Sequence, residues 1–245
     1  MDSSALPVNL SFSPVTVDLA ELSVVRHGQS AANAAFAAAE ATGALDSGIT
    51  GQDQDVPLSV PGHRQAAQLG TYLVELPAGQ RPEVVLCSPY LRARQTLQAA
   101  SAVAAGRGVS LPMPRFDDRL RDRVMGELEL LTAAAIEARF PHETQRRRSA
   151  GEFHYKPPGG ESFGDVAARL GMLLEELHQR YLGRRVLLVA HDAVVLMLRR
   201  LIEGLSWQEL GDVVQAGPVA NASVTRWRQT EGRLQLIDYN RTDHL

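Results

Sequence analysis

Short apolar runs alternate along this chain with longer stretches of helical period. Three runs stand out: Leu22-Ser23-Val24-Val25, Glu83-Val84-Val85-Leu86-Cys87 and Val186 to Ala190. Each is rich in β-branched residues and closes on turn-forming or titratable residues, namely Arg26-His27-Gly28, Ser88-Pro89 and His191, so each predicts a buried strand ending at a functional edge. A helix should follow each strand. Ser30 is placed to cap one through Ala31 to Phe36, with free backbone N–H groups pointing back toward His27 in a setting that attracts phosphate. Ser88 is expected to cap the second, with Pro89 at the first helical position and Arg92 about one turn in. After His191, the positions Val194, Val195, Leu198, Leu201 and Ile202 recur at three- and four-residue intervals.

Two further helices are expected over residues 64 to 76 and 162 to 182, where Leu69 and Leu73, and Leu170, Leu173, Leu174 and Leu177, share a face. Ser162 with Asp165 forms a capping-box pattern, leaving Glu161 in the loop before it. Ala222 to Trp227 and Leu234 to Tyr239, separated by Glu231-Gly232, predict a hairpin. Residues 106 to 160 are the least regular region. Pro112, Pro114, Pro141, Pro157 and Pro158 interrupt it around one helix from Thr132 to Phe140, and such an excursion commonly covers a site. Residues 1 to 21, with scattered Ser and Pro, predict a flexible arm, followed by a single domain over 22 to 245.

A parallel sheet with helical crossovers places all three strand-to-helix turns at one edge, where open α/β sheets hold ligands. His27, Arg92 and His191 are therefore expected to converge. Composition narrows the chemistry. The 245 residues are 44% hydrophobic and 22% charged with a formal charge of -3, which suits one soluble α/β domain and argues against a global nucleic-acid footprint. Arginine outnumbers lysine heavily, which suits bidentate oxyanion recognition but equally fits a GC-rich coding sequence. Cys87 is the only cysteine and lies in an apolar strand, where it reads as packing rather than chemistry. Neither a signal peptide nor a membrane anchor is suggested by residues 1 to 21, so a cytoplasmic location is the expectation.

Arg26-His27-Gly28-Gln29-Ser30 with Asn33, then Ser88-Pro89-Tyr90-Leu91-Arg92-Ala93-Arg94-Gln95-Thr96, then Gly160-Glu161-Ser162, then Ala190-His191 together resemble the histidine phosphatase superfamily, which includes the cofactor-dependent phosphoglycerate mutases. The resemblance spans roughly residues 22 to 240 and looks closer to the phosphatase-type branch. It implies an α/β three-layer sandwich with a mainly parallel central sheet and an antiparallel edge. It also implies that His27 is the nucleophile, that Arg26, Asn33, Arg92 and His191 bind the phosphoryl group, and that Gln29, Ser30, Arg123, Glu161 and Ser162 contribute to substrate binding. Asp122 matches a position where the family usually carries a glutamate acid. Because aspartate is one methylene shorter, Glu127 and Glu161 remain alternatives for the proton donor. Leu130 departs from the family too, which often has glycine there.

The chemistry expected is metal-independent hydrolysis of a small phosphorylated metabolite through phosphohistidine, with no organic cofactor. The alternatives are mutase-type phosphoryl transfer and a catalytically silent phosphate-binding member. Arg146-Arg147-Arg148 reads as a solvated helix end, or else as a clamp for a substrate carboxylate or second phosphate or as a nucleic-acid patch. Phe153 and Tyr155 more often anchor such a loop than line a pocket. His142 and His154 lack metal-ligand partners at close spacing, so no metal is expected. Neither a nucleic acid nor a membrane is expected as a partner, and the oligomeric state is left open.

Overall fold

The computed structural model describes residues 14–245. A six-stranded sheet runs through its centre, with strands β1 (Glu21–Arg26), β2 (Val84–Cys87), β3 (Arg115–Phe116), β4 (Arg185–Ala190), β5 (Val224–Thr230) and β6 (Arg233–Arg241) in the order β3-β2-β4-β1-β5-β6. The pairs from β3 to β1 are parallel, and β5 and β6 add the antiparallel edge as the expected hairpin.

Side chains alternate across a strand, and both faces of this sheet are covered. Leu22, Val24, Leu86, Val186, Leu188 and Ala190 join one apolar cluster, whereas Val25, Val85, Cys87, Leu187 and Val189 join another on the opposite face. Helices α6 (Phe163–Arg180) and α7 (Asp192–Glu203) cover the first face. Helices α2 (Val60–Glu75) and α3 (Leu91–Gly106) cover the second. Period-2 strands that are apolar on both sides therefore dictate the three-layer α/β sandwich expected from the resemblance.

Helix α1 (Ala31–Thr42) starts at Ser30, and α6 starts at Ser162, each through a reciprocal capping box with Asn33 or Asp165. Helix α2 begins a turn earlier than its apolar period indicates, because Ser59 caps it and Pro61 lies in its first turn. Ser88 does not cap α3. Its hydroxyl is drawn to His191, and Tyr90 occupies the cap position without a side-chain bond. Between β3 and α6, the expected helix appears as α4 (Ala133–Arg139), and a second, α5 (Pro141–Ala150), follows at once. Pro141 is the first residue of α5 rather than an interruption, since a helix start needs no N–H from that position. The last helix, α8 (Trp207–Gln215), starts at the capping Ser206.

Only residues 1–13 of the expected arm lie outside the described residues. Residues 14–20 are not loosely held. Val17 and Leu19 are buried in the core, and Val15 and Ala20 donate backbone hydrogen bonds to Leu201 and Arg184. Among the described residues, no helix is long and apolar enough to cross a membrane.

Candidate active site

The parallel register brings Arg26 level with Ala190 and Cys87 level with Val189, so His27, Ser88 and His191 leave the sheet side by side. Residues distant in sequence thereby meet at one carboxyl edge. The His27 amide donates to Ala190 O, and its carbonyl accepts from Ala222 N and Asn221 Nδ2. Gly28 can make the following turn only without a side chain, because a Cβ there would lie 2.5 Å from the carbonyl oxygen of Gly62 in α2. Nδ1 of His27 lies 2.7 Å from its neighbour's oxygen, Gly28 O. A carbonyl can only accept, so Nδ1 carries the proton and Nε2 keeps its lone pair. Burial, with His191, Arg92 and Arg26 nearby, holds the imidazole well below its ordinary 6.5.

Arg92 donates its Nε to His27 Nε2 at 3.2 Å. Its Nη2 reaches Asp122 Oδ2 at 2.9 Å, and that same carboxylate oxygen is 3.3 Å from His191 Nδ1. His191 Nε2 meets Ser88 Oγ at 2.8 Å, and the two histidine rings stand edge to face with centroids 5.1 Å apart. His27, Arg92, His191 and Asp122 thus form one contiguous group. Burial pushes the Asp122 carboxyl up, but His191 and Arg92 outweigh it and hold the group well below the usual carboxylate range.

A cavity of ≈ 340 Å³ opens over this group, with Arg26, His27, Arg92 and Asp122 in its wall. Its outer wall comes from the irregular segment, through Met125, Leu128, Leu131 and Ile136 among others. Among the described residues, the buried Arg26 Nε has no hydrogen-bond partner, an arrangement that a bound oxyanion would resolve, whereas the buried His191 Nδ1 faces the Asp122 carboxylate. Asn33 also lines the cavity. Its Oδ1 accepts from Ser30 N and Asn221 Nδ2, which leaves its Nδ2 as the donor available to a ligand. The helix-terminal amides expected to bind phosphate are largely taken: Ala31 N donates to Pro57 O and Asn33 N to Ser30 Oγ.

Several expected substrate contacts have internal work instead. Gln29 bonds Ser59 and Gln65 at the start of α2, and Ser162 caps α6. Ser30 lines the cavity, but its hydroxyl caps α1. Glu161 is buried in ion pairs with Arg121 and Arg169 and accepts from Val124 N, so it is not an available proton donor. Arg123 reaches the cavity wall with its donors directed to Glu161 O, Tyr155 O and Glu152. Arg146, Arg147 and Arg148 pair with Glu143, Glu152 and Glu137, and Arg147 also lines the cavity. Phe153 anchors its loop by packing on Phe163 and Trp207, and the Tyr155 hydroxyl donates to Glu143. Cys87 is buried, and desolvation pushes its thiol up to about 12.

Two site residues escape a reading of the sequence. Asp53 pairs with Arg92, and Glu129 lines the cavity with its pKa raised by burial and by the charge of Asp53. Asp53 belongs to no local motif, and Glu129, the last residue of the segment 120–129 that carries Asp122, has no signal of its own there. The tertiary structure also assembles a trio that spacing does not reveal, with ligand atoms of His27, Asp122 and His191 within 4.8 Å of one another. Its surroundings suit an anion better than a dication, because the Arg92 guanidinium donates to two of the three.

Comparison with known proteins agrees with this geometry. The family model described as histidine phosphatase superfamily (branch 1) matches residues 22–242. The chain is 31% identical over 195 residues to a 2,3-bisphosphoglycerate-dependent phosphoglycerate mutase of Rhizobium etli, covering 78% of this chain and 84% of that protein. It is 26% identical over 192 residues to a Bacillus subtilis protein named uncharacterized phosphatase PhoE, covering 78% and 85%. The solved structure of a mycobacterial glucosyl-3-phosphoglycerate phosphatase with VO3 superposes with a TM-score of 0.69 at 28% identity, over 91% of this chain and 99% of that one. With its motifs, its sheet order and a family match over nearly its whole length, the chain belongs to branch 1 of the histidine phosphatase superfamily.

Proposed function

We infer that this protein is a metal-independent phosphomonoester hydrolase acting on a small phosphorylated metabolite through a phosphohistidine. The observation that carries this reading is the unprotonated Nε2 of His27, oriented by Gly28 O and held at the cavity floor beside Arg92. A neutral imidazole nitrogen is the nucleophile that attack on phosphorus requires, and the cationic wall meets the charge on the equatorial oxygens. In the first transfer Arg92 Nε turns its donor from His27 Nε2 to a phosphoryl oxygen, the freed Nε2 lone pair forms the N–P bond as the ester P–O bond breaks, and Asp122, protonated once the dianion is bound, gives its proton to the leaving oxygen. In the second, water attacks the phosphohistidine, Asp122 takes its proton, and the P–N bond breaks to return neutral His27.

The Asp122 carboxylate is ionised beside Arg92 in the ligand-free protein. A phosphoryl dianion on Arg92 counters that positive field with negative charge, which raises Asp122 toward a proton-donating state. The same cavity favours hydrolysis over mutase chemistry. A bisphosphorylated ligand needs cations for its second anion, and beyond Arg26 and Arg92 the wall offers Arg123, held by the carbonyls of Glu161 and Tyr155, and Arg147, among mostly apolar residues. The deciding experiment incubates the protein with a panel of phosphomonoesters that includes 3-phosphoglycerate and follows phosphate release and isomer formation by phosphorus NMR. Phosphate should account for nearly all substrate consumed. Dominant interconversion of 2- and 3-phosphoglycerate would establish the mutase instead.

A further inference from the structure

Arg92 is saturated. Of its five N–H donors, Nε serves His27, and both terminal nitrogens face Asp53. Nη1 bonds the Asp53 carbonyl at 2.6 Å and Oδ1 at 3.1 Å, and Nη2 bonds Asp53 Oδ2 and Asp122 Oδ2, each at 2.9 Å. That two-oxygen fork is the arrangement in which guanidinium holds two oxygens of a phosphoryl group. A phosphoryl group and the Asp53 carboxylate therefore compete for the same face of Arg92.

The arginine is the fixed partner of this pair. It lies in the first turn of α3 with a side chain only 4% exposed, its guanidinium stacked over Tyr90 at 5.0 Å. Asp53 instead begins a single 3-10 turn, Asp53–Asp55, in the connection between α1 and α2, and its side chain is 19% exposed at the cavity. Glu129, another acid in that wall, feels the Asp53 charge as a repulsion. An incoming dianion brings more negative charge to Arg92 than one carboxylate does, so it can displace Asp53 despite the cost of breaking a charged pair.

We propose that Asp53 is an internal competitor for the phosphoryl site, occupying the outer fork of Arg92 until a phosphoryl group displaces it. This inference rests on the phosphatase reading above. Its consequence is weakened affinity for every phosphoryl ligand, the product phosphate included, which lowers product retention after each turnover.

The test compares wild type with Asp53→Asn and Asp53→Ala, with folding of each verified by circular dichroism and thermal melting. Calorimetry with inorganic phosphate measures binding, and turnover of p-nitrophenyl phosphate separates KM from kcat. Both variants should bind phosphate about tenfold more tightly, or better, with a comparable fall in KM and no gain in kcat. Two variants guard against a single misfolded one. Equal or weaker phosphate binding by the folded variants overturns the proposal, since it would make Asp53 indifferent or a support that orients Arg92. If the wild type binds phosphate and hydrolyses the ester while the variants show no gain, only the Asp53 inference falls. If neither wild type nor variants bind phosphate, the phosphatase reading falls with it.

Discussion

Arg92 Nε lies 3.2 Å from His27 Nε2, joining two residues 65 positions apart through the one nitrogen of that imidazole that keeps its lone pair. The contact aims the ring and keeps a fixed positive charge beside that nitrogen, which holds the histidine neutral; in the proposed reaction this is where a phosphoryl group would be met.

Replacing the proposed nucleophile should abolish turnover. His27→Ala is expected to lower kcat by about 10³-fold or more while the circular dichroism spectrum stays that of the wild type. Rapid quenching of the wild-type reaction without acid should show a phosphoryl adduct on His27 by mass spectrometry. A folded His27→Ala protein of undiminished rate would remove the assignment.

Asp122 is the carboxylate within reach of both Arg92 and His191. Asp122→Asn keeps its shape but not its transferable proton, so turnover of an alkyl phosphate should fall by about 10²-fold or more. An aryl phosphate with a good leaving group needs less protonation and should lose less in the first transfer. Equal small losses for both would move the role elsewhere. Glu129→Gln and Glu127→Gln, assayed in the same way, would identify the replacement.

The pH profile follows from His27. Burial and its positive neighbours hold its pKa well below 6.5, so kcat/KM, corrected for the substrate's own ionisation, should keep its plateau as pH falls through 6.5. Stability has its own dependence. The unfolded chain titrates near the ordinary value and binds more protons than the folded state between the folded pKa and 6.5. Unfolding free energy should therefore drop as pH falls through 6.5, level off below the folded pKa, and be unaffected by His27 above 6.5. Urea unfolding between about pH 5 and 8 measures this, and His27→Asn should flatten the slope. His191 is shifted down as well, chiefly by burial, so part of the slope should persist in that variant.

Leu130 has a left-handed φ of 59°, where the family often carries glycine. A side chain there costs about 1–2 kcal/mol, partly offset by the chain entropy that glycine would add to the unfolded state. Leu130→Gly should accordingly be tolerated within about 1 kcal/mol, whereas the β-branched Leu130→Val should destabilise by about 1 kcal/mol or more. Chemical denaturation of the two variants decides it, and a Val variant as stable as the Gly variant would refute the strain.

The trio of His27, Asp122 and His191 invites a check for metal dependence. Prolonged treatment with EDTA, then dialysis, should leave phosphate release unchanged. Loss of activity restored by a divalent ion would reassign the three side chains as ligands.

What the chain alone determined is what depends on near neighbours. Three apolar runs ending at Arg26-His27-Gly28, Ser88 and His191 specify strands, and Ser30 with Asn33 and Ser162 with Asp165 specify helix starts, because alternation and capping act within about four residues. The convergence of His27, Arg92 and His191 was also legible, since parallel strands must present their carboxyl ends at one edge. Tertiary structure alone decided which groups remain available to a ligand. It drew Ser88 from the α3 cap to His191, buried Glu161 between Arg121 and Arg169, and set Asp53 on Arg92 across 39 positions. A charged side chain has no period to betray its partner. Which opposite charge it meets is settled only when the sheet and helices close and burial makes an unpaired ion too costly to leave.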